Sequence, residues 1–133
     1  MFSDSELNYL KTQHLARVAT ASPKGVPEVS PVGFEFDGRY FWIGSHSHDI
    51  FPETRRYKNI TAGNPKVSVV IDDLESINPW RPRGIKVKGL AEIMDHKGMF
   101  GDSKYIRITP KVSISWGIEP PNNSRFTSLK HWN

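Results

Sequence analysis

The apolar positions of the chain change period early. Leu7, Leu10, His14 and Leu15 fall on one helical face, and Ser3 and Glu6 stand at capping-box spacing ahead of them. This predicts a short N-terminal helix that packs its stripe on the body of the domain. From there the spacing is that of strands. Arg17-Val18-Ala19-Thr20-Ala21 reads as a first strand, Ser22-Pro23-Lys24-Gly25 as a turn, and Val29 to Phe36 as a second strand. Asp37-Gly38 is a hairpin signal leading into Arg39-Tyr40-Phe41-Trp42-Ile43, so the first three strands are expected as an antiparallel meander. Pro31 inside the second strand calls for an edge or a bulge. Lys66 to Ile71 forms a fourth strand, with Val67, Val69 and Ile71 on one face. Asp72 to Pro79 reads as an acidic connection. A fifth strand, Ile85 to Ile93, turns Ile85, Val87, Gly89, Ala91 and Ile93 one way and Lys86 and Lys88 the other. Asp95 to Lys104 is expected as a loop. Tyr105 to Pro110 is a sixth strand, and Val112 to Trp116 a seventh or its continuation. From Glu119 onward periodicity is weak, and the tail is expected to be mobile or to lie across a partner. Many short strands with hairpin turns and little helix predict a closed or nearly closed antiparallel barrel.

Between the third and fourth strands lies the segment with the most distinctive chemistry. Thr54-Arg55-Arg56-Tyr57-Lys58-Asn59 puts three cations and two short polar side chains into six residues. A helix is expected at about 52–61, with Pro52 in its first turn and Gly63-Asn64-Pro65 as its stop. Thr54 and Arg55 would then stand beside exposed helical N–H groups, which attract anions, and Arg adds forked donors that match phosphate or carboxylate. The segment reads either as a grip for the anionic tail of a cofactor or as a solvated basic helix. Ser45-His46-Ser47-His48-Asp49 is a polar loop without a further ligand cluster, and no metal site is expected there.

Composition narrows the classes. The 133 residues suit one domain spanning 1–133, and a net charge of +4 suits an acidic partner. The absence of cysteine removes disulfides and thiolate chemistry. An acidic, polar start and the lack of a long apolar run make a cytoplasmic protein with no membrane partner the expectation. No protein-only catalytic motif stands out and no catalytic residue is assigned; Asp72 and Asp73 are adjacent and would face opposite ways in a strand. If the chain is an enzyme, a cofactor carries the reaction.

Arg17-Val18-Ala19-Thr20, the Pro-Lys-Gly turn at 23–25 and Val29-Ser30-Pro31-Val32 resemble the opening of the split-barrel flavin-binding proteins, the relatives of pyridoxamine-phosphate oxidase. Thr54 to Asn59 with Asn64-Pro65-Lys66-Val67 resembles their phosphate-contacting segment. Asp72-Asp73-Leu74, Pro79-Trp80-Arg81-Pro82-Arg83-Gly84, Gly89, Ile108 to Val112 and Ser115-Trp116-Gly117 resemble a narrower branch, the deazaflavin (coenzyme F420)-dependent class. The resemblance covers roughly residues 5–118. It implies an all-β fold with minor helix, a homodimer of six-stranded antiparallel split barrels with two cofactors, FMN or F420, at the subunit interface. Thr54, Arg55, Arg56 and Lys58 would hold phosphate or carboxylate, Ser30, Pro31 and Val32 would line the ring system, and Asn59 would brace the helix end. Trp80, Arg81 and Arg83 would close the groove from either subunit. True pyridoxamine-phosphate oxidases are longer and carry a C-terminal substrate-binding segment that Ser124 to Asn133 does not match, so vitamin B6 oxidation is not the expected activity.

The leading expectation is a redox enzyme passing a hydride between a flavin or deazaflavin and a small unsaturated or carbonyl substrate. A non-catalytic carrier of the same cofactor is the alternative. A nucleic-acid-binding barrel is weaker, because the charge is not gathered into one stripe, and no nucleic-acid partner is expected.

Overall fold

Ser3 closes the first turn of α1 (Asp4–Lys11) as its spacing predicts: its hydroxyl accepts from the Glu6 N–H, and the Glu6 carboxylate accepts from the Ser3 N–H. In the computed structural model, which describes residues 1–119 and 127–133, the rest of the chain builds one antiparallel sheet and a second short helix. The strands are β1 (Leu15–Ala21), β2 (Pro27–Gly33), β3 (Glu35–Phe36), β4 (Phe41–Ile43), β5 (Lys66–Ser76), β6 (Arg81–Gly98), β7 (Gly101–Trp116) and β8 (Thr127–His131), with α2 (Arg55–Thr61) between β4 and β5.

Their order in the sheet is β2-β1-β5-β6-β7-β4-β3, and β8 pairs with β7 beyond β4. The two ends of this order, β2 and β3, are separated in the chain only by Phe34. The sheet therefore has to curl until its ends meet, which makes it a split barrel. The expected second strand is thus two: Val29 to Gly33 belongs to the β1 ladder, and Glu35 and Phe36 pair with Trp42 and Phe41. Pro31 sits opposite Arg17 on β2, the end strand of the ladder, where a missing N–H is tolerated.

Alternation sets the core. Val18, Phe41, Ile43, Val69, Ile71, Ile85, Val87, Ile106 and Ile108 point inward and are no more than 1% exposed. Gly89 is required by close approach, since a Cβ there would strike the Thr109 carbonyl oxygen. Beside it, Lys88 pairs with Val112 and Gly89 with Pro110, so Lys111 is the extra residue of a β-bulge. The bulge lets Pro110 stand inside a continuous strand, so Val112 to Trp116 is the continuation of the sixth expected strand and not a seventh.

Three expected connections differ. The acidic segment is strand as far as Ser76: Asp72 and Asp73 pair with Gly84 and Arg83. Polar side chains fit there because this end of the ribbon is exposed on both faces. The expected loop at 95–104 continues the β6–β7 ladder to a turn at Met99 and Phe100. Tyr105 holds that turn by accepting from the Phe100 N–H at 2.9 Å and donating to the Gly101 carbonyl at 2.8 Å. The tail from Glu119 falls partly outside the described residues; Thr127–His131 pairs with Trp116 to Val112 of its own sheet. No helix among the described residues is long and apolar enough to cross a membrane.

Candidate functional site

The helix expected at 52–61 begins later. Pro52 belongs to a single 3-10 turn (Phe51–Glu53), and Thr54 is the N-cap of α2. Both functions of the Thr54 hydroxyl are engaged: it donates to the Phe51 carbonyl at 2.7 Å and accepts from the Tyr57 N–H at 3.4 Å. Residues three apart share a helix face, and this divides the basic segment in two. Arg56 and Asn59 face the sheet. Asn59 is 1% exposed and its amide donates to Thr20 Oγ1 at 2.9 Å. Arg56 lies over the Phe51 ring, and its Nε is buried without a partner among the described residues. Burial lowers the Arg56 pKa, and the charge of Glu28 opposes that shift. Glu28 is the cross-strand partner of Thr20, so both inward residues of α2 meet one β1–β2 pair. Glu28 also accepts from Ser30 Oγ at 3.1 Å, which brings Ser30 into the neighbourhood of Arg56.

Arg55 and Lys58 form the other face. Both are exposed; Lys58 makes a solvent-exposed ion pair with Glu53 at 3.3 Å, worth little in that setting. Of the other expected contacts, Pro31 is exposed on β2, whereas Val32 is 6% exposed and belongs to the core. Val32 thus cannot line a ring on the outer face of the strand.

Trp80, Arg81 and Arg83 lie on the β5–β6 ribbon. Lys66, at the end of β5 next to α2, pairs with Leu90; Trp80 is about ten residues further along, roughly 33 Å at 3.3 Å per residue. Within one chain the structure does not bring Trp80 and Arg81 to α2. Arg83 is fixed: Nε and Nη2 each donate to Asp73 at 2.8 Å, and its guanidinium lies over the Tyr9 ring. Asp73 also accepts from the Tyr9 hydroxyl at 2.9 Å and from the Gln13 amide at 3.3 Å. The Arg83 bonds hold the Asp73 carboxyl below its usual range, against a smaller opposing effect of burial. Burial first, then the bond to Asp73, pushes the Tyr9 hydroxyl far up. No group of three or more His, Asp or Glu able to hold a metal occurs among the described residues, and His48 Nε2 lies 2.8 Å from the Phe100 carbonyl.

An open groove of about 480 Å³ runs where α2 gives way to β5. Ala19, Ser68 and Leu90 are among its lining, and Lys66, Lys88 and Lys111 stand around it. None of the eleven expected site residues lines it. Lys88 reads from sequence as a solvated strand face. The alternation that puts Lys66 and Lys88 outward is visible in the sequence; the register that sets them on adjacent strands is not.

The chain matches the family model described as pyridoxamine 5'-phosphate oxidase over residues 4–125. It is 31% identical over 122 residues to a 5a,11a-dehydrotetracycline/5a,11a-dehydrooxytetracycline reductase of Streptomyces rimosus, covering 89% of this chain and 84% of that one. Among solved structures, an F420 reductase superposes with a TM-score of 0.55 at 19% identity, over 76% of this chain and 89% of that one. The heme storage protein HutZ of Vibrio cholerae superposes with a TM-score of 0.60 at 16% identity, over 84% and 92%. At such identities these two likenesses speak for the fold alone.

Proposed function

The chain belongs to the pyridoxamine 5'-phosphate oxidase family, and from that premise we propose that it is an oxidoreductase using FMN or the deazaflavin F420. Its reaction would be hydride transfer to or from a small organic substrate. The observation that carries the reading is the two-faced basic helix. One face of α2 is fastened to β1 through the Asn59–Thr20 bond and packed on the body of the domain through Ile60, so the other holds Arg55 and Lys58 outward on a fixed support. Two neighbouring cations, one of them a forked donor, fit the anionic tail that both cofactors carry. Arg55 and Lys58 would bind that tail. Thr54 fixes the start of the helix, and Pro31, exposed on β2, would flank the ring, while Ser30 shares the inward face of Val32 and braces Glu28. The cofactor, when bound, supplies the hydride chemistry. The protein binds, orients and excludes water. The reductase relative supports redox chemistry in general, and its named substrates are not carried over.

The site is proposed to be completed by a second copy of the chain. Leu15, Val29, Leu74, Ile77 and Trp80 are 42–75% exposed along β1, β2 and the ribbon, apolar side chains that a second copy would cover. A two-fold partner would cover them and bring its own ribbon, with Trp80 and Arg81, to the outward face of α2. A non-catalytic cofactor carrier is the second reading.

The test is the ligand itself. Protein purified, and protein reconstituted with FMN and with F420, is denatured and the released ligand identified by visible spectrum and mass. A flavin or deazaflavin at one per chain is expected. A heme Soret band, or failure to retain either cofactor, would overturn the proposal.

A further inference from the structure

Asp73 and Arg83 face each other where the β5–β6 ribbon leaves the sheet. The pairing of β5 with β1 ends at Val70, and that of β6 with β7 ends at Gly84, opposite Trp116. From Asp73 and Arg83 outward the two strands pair only with each other among the described residues, through Leu74 with Pro82 and Ser76 with Arg81. A two-stranded ribbon is marginal in water by itself, so its angle has to be set at its root. Two contacts grip that root. In the first, the Tyr9 hydroxyl of α1 lies 2.9 Å from Asp73 Oδ1 and 3.3 Å from the Arg83 carbonyl oxygen, so one O–H reaches both strands. Tyr9 is 5% exposed and is itself part of the core. Gln13, just past the end of α1, donates to Asp73 Oδ2. With Arg83 Nε and Nη2 this puts two donors on each carboxylate oxygen. In the second contact, the chain leaving β7 passes so close at Gly117 that a Cβ there would strike the Pro82 carbonyl oxygen. Beside the root a cavity of about 230 Å³, lined in part by Asn8, Thr12 and Glu75, leaves the ribbon room to tilt if the grip is cut.

We infer that Tyr9 is a positioning residue for the cofactor site of the second copy: through the Asp73–Arg83 pair it sets the angle at which the ribbon presents Trp80 and Arg81. This role rests on the shared site proposed above and adds α1 to the parts that build it. Trp80 is three residues beyond Arg83, so a tilt of about 10° at the root moves it by roughly 2 Å, enough to lose a positioned contact. Tyr9 is singled out because its hydroxyl spans the two strands, whereas Gln13 holds only one.

Tyr9→Phe removes the hydroxyl and keeps the ring under the Arg83 guanidinium. FMN and F420 are titrated by fluorescence into the full-length wild type, Tyr9→Phe, Gln13→Ala, Trp80→Leu/Arg81→Ala and the triple variant that adds Tyr9→Phe to the last. Leu at position 80 keeps an apolar cover, and light scattering checks that each protein stays a dimer. Hydrogen exchange of the cofactor-free proteins runs in parallel. Tyr9→Phe is expected to weaken the preferred cofactor by about fivefold or more and to speed exchange selectively at 74–82, with β1 and β7 still protected. Gln13→Ala should move both readouts the same way, by less. In the Trp80→Leu/Arg81→Ala background Tyr9→Phe should cost nothing further, because its effect passes through those two residues. A loss that persists in that background overturns the role, and so does exchange that speeds up throughout the chain, which would make Tyr9 a core residue only. Unchanged cofactor affinity in Tyr9→Phe, with Trp80→Leu/Arg81→Ala weakened, overturns the role of Tyr9 and leaves the shared site standing. Unchanged affinity in the Trp80→Leu/Arg81→Ala dimer overturns the shared site and the role of Tyr9 with it.

Discussion

A buried hydrogen bond between Asn59 and Thr20 fastens the basic helix to the sheet. Asn59 and Thr20 are 1% and 4% exposed, so truncating one strands the other's polar group away from water. Asn59→Ala is expected to destabilise the protein by about 1–3 kcal/mol, read by denaturant unfolding, and to loosen α2 without touching Arg55 or Lys58. The Asp73–Arg83 pair gives a pH signature. Asp73 titrates below its usual value, chiefly because of Arg83, so the folded state binds fewer protons there than the unfolded chain. The contribution is therefore present above the ordinary carboxylate range and lost as pH falls through the lowered native value. Melting temperature measured from pH 7 to pH 3 should fall on acidification, and Asp73→Asn should start lower and fall less. Asp73 and Tyr9 show what one sequence hides at this scale. Arg83 reads as a groove residue until its partners, ten and more than seventy positions away, are known.

At the scale of elements, helix α1 and strand β8 hold each other. Glu6 is fully buried under α1 and is bound by Lys130 of β8, while Ser3 donates to Glu119. Burial alone would raise the Glu6 pKa, but Lys130, the Ser115 hydroxyl and the Ser3 N–H together outweigh burial and hold it below the usual range. Trp132 adds an edge contact to Phe2, centroids 4.8 Å apart, and donates to Ser113 Oγ at 3.0 Å. Lys130→Met leaves a buried carboxylate without its cation and is expected to cost about 3–5 kcal/mol at neutral pH. The cost should shrink once Glu6 protonates in acid, so comparing denaturant midpoints at pH 7 and pH 4 checks it. The α1 capping box, the Asp37-Gly38 hairpin and the inward Val67, Val69 and Ile71 were legible because each rests on neighbours in sequence. The division of the second strand at Phe34, the long β5–β6 ribbon and the β8 pairing were not, because each is decided by a distant partner strand. The basic helix was legible as an element, yet its two faces could be told apart only once Glu28 and Thr20 were in place.

For the whole molecule, the proposed assembly and the proposed chemistry are tied together. The exposed Ile77 and Trp80 sit on a ribbon that one barrel leaves without cover. Ile77→Ser/Trp80→Ser should convert a dimer into a monomer by light scattering at micromolar concentration, with the circular dichroism unchanged. A wild type that is monomeric with cofactor bound would contradict the shared site. The central claim, that the outward face of α2 grips the anionic tail of a flavin or deazaflavin, is tested most directly by one fluorescence titration. FMN and F420 are titrated into wild type and into Arg55→Ala/Lys58→Ala. Charge-assisted bonds contribute about 1.5–3 kcal/mol each, so the double variant should bind the preferred cofactor roughly a hundredfold or more weakly, with its melting temperature preserved. Unchanged affinity in the double variant would show that these two cations do not hold the cofactor.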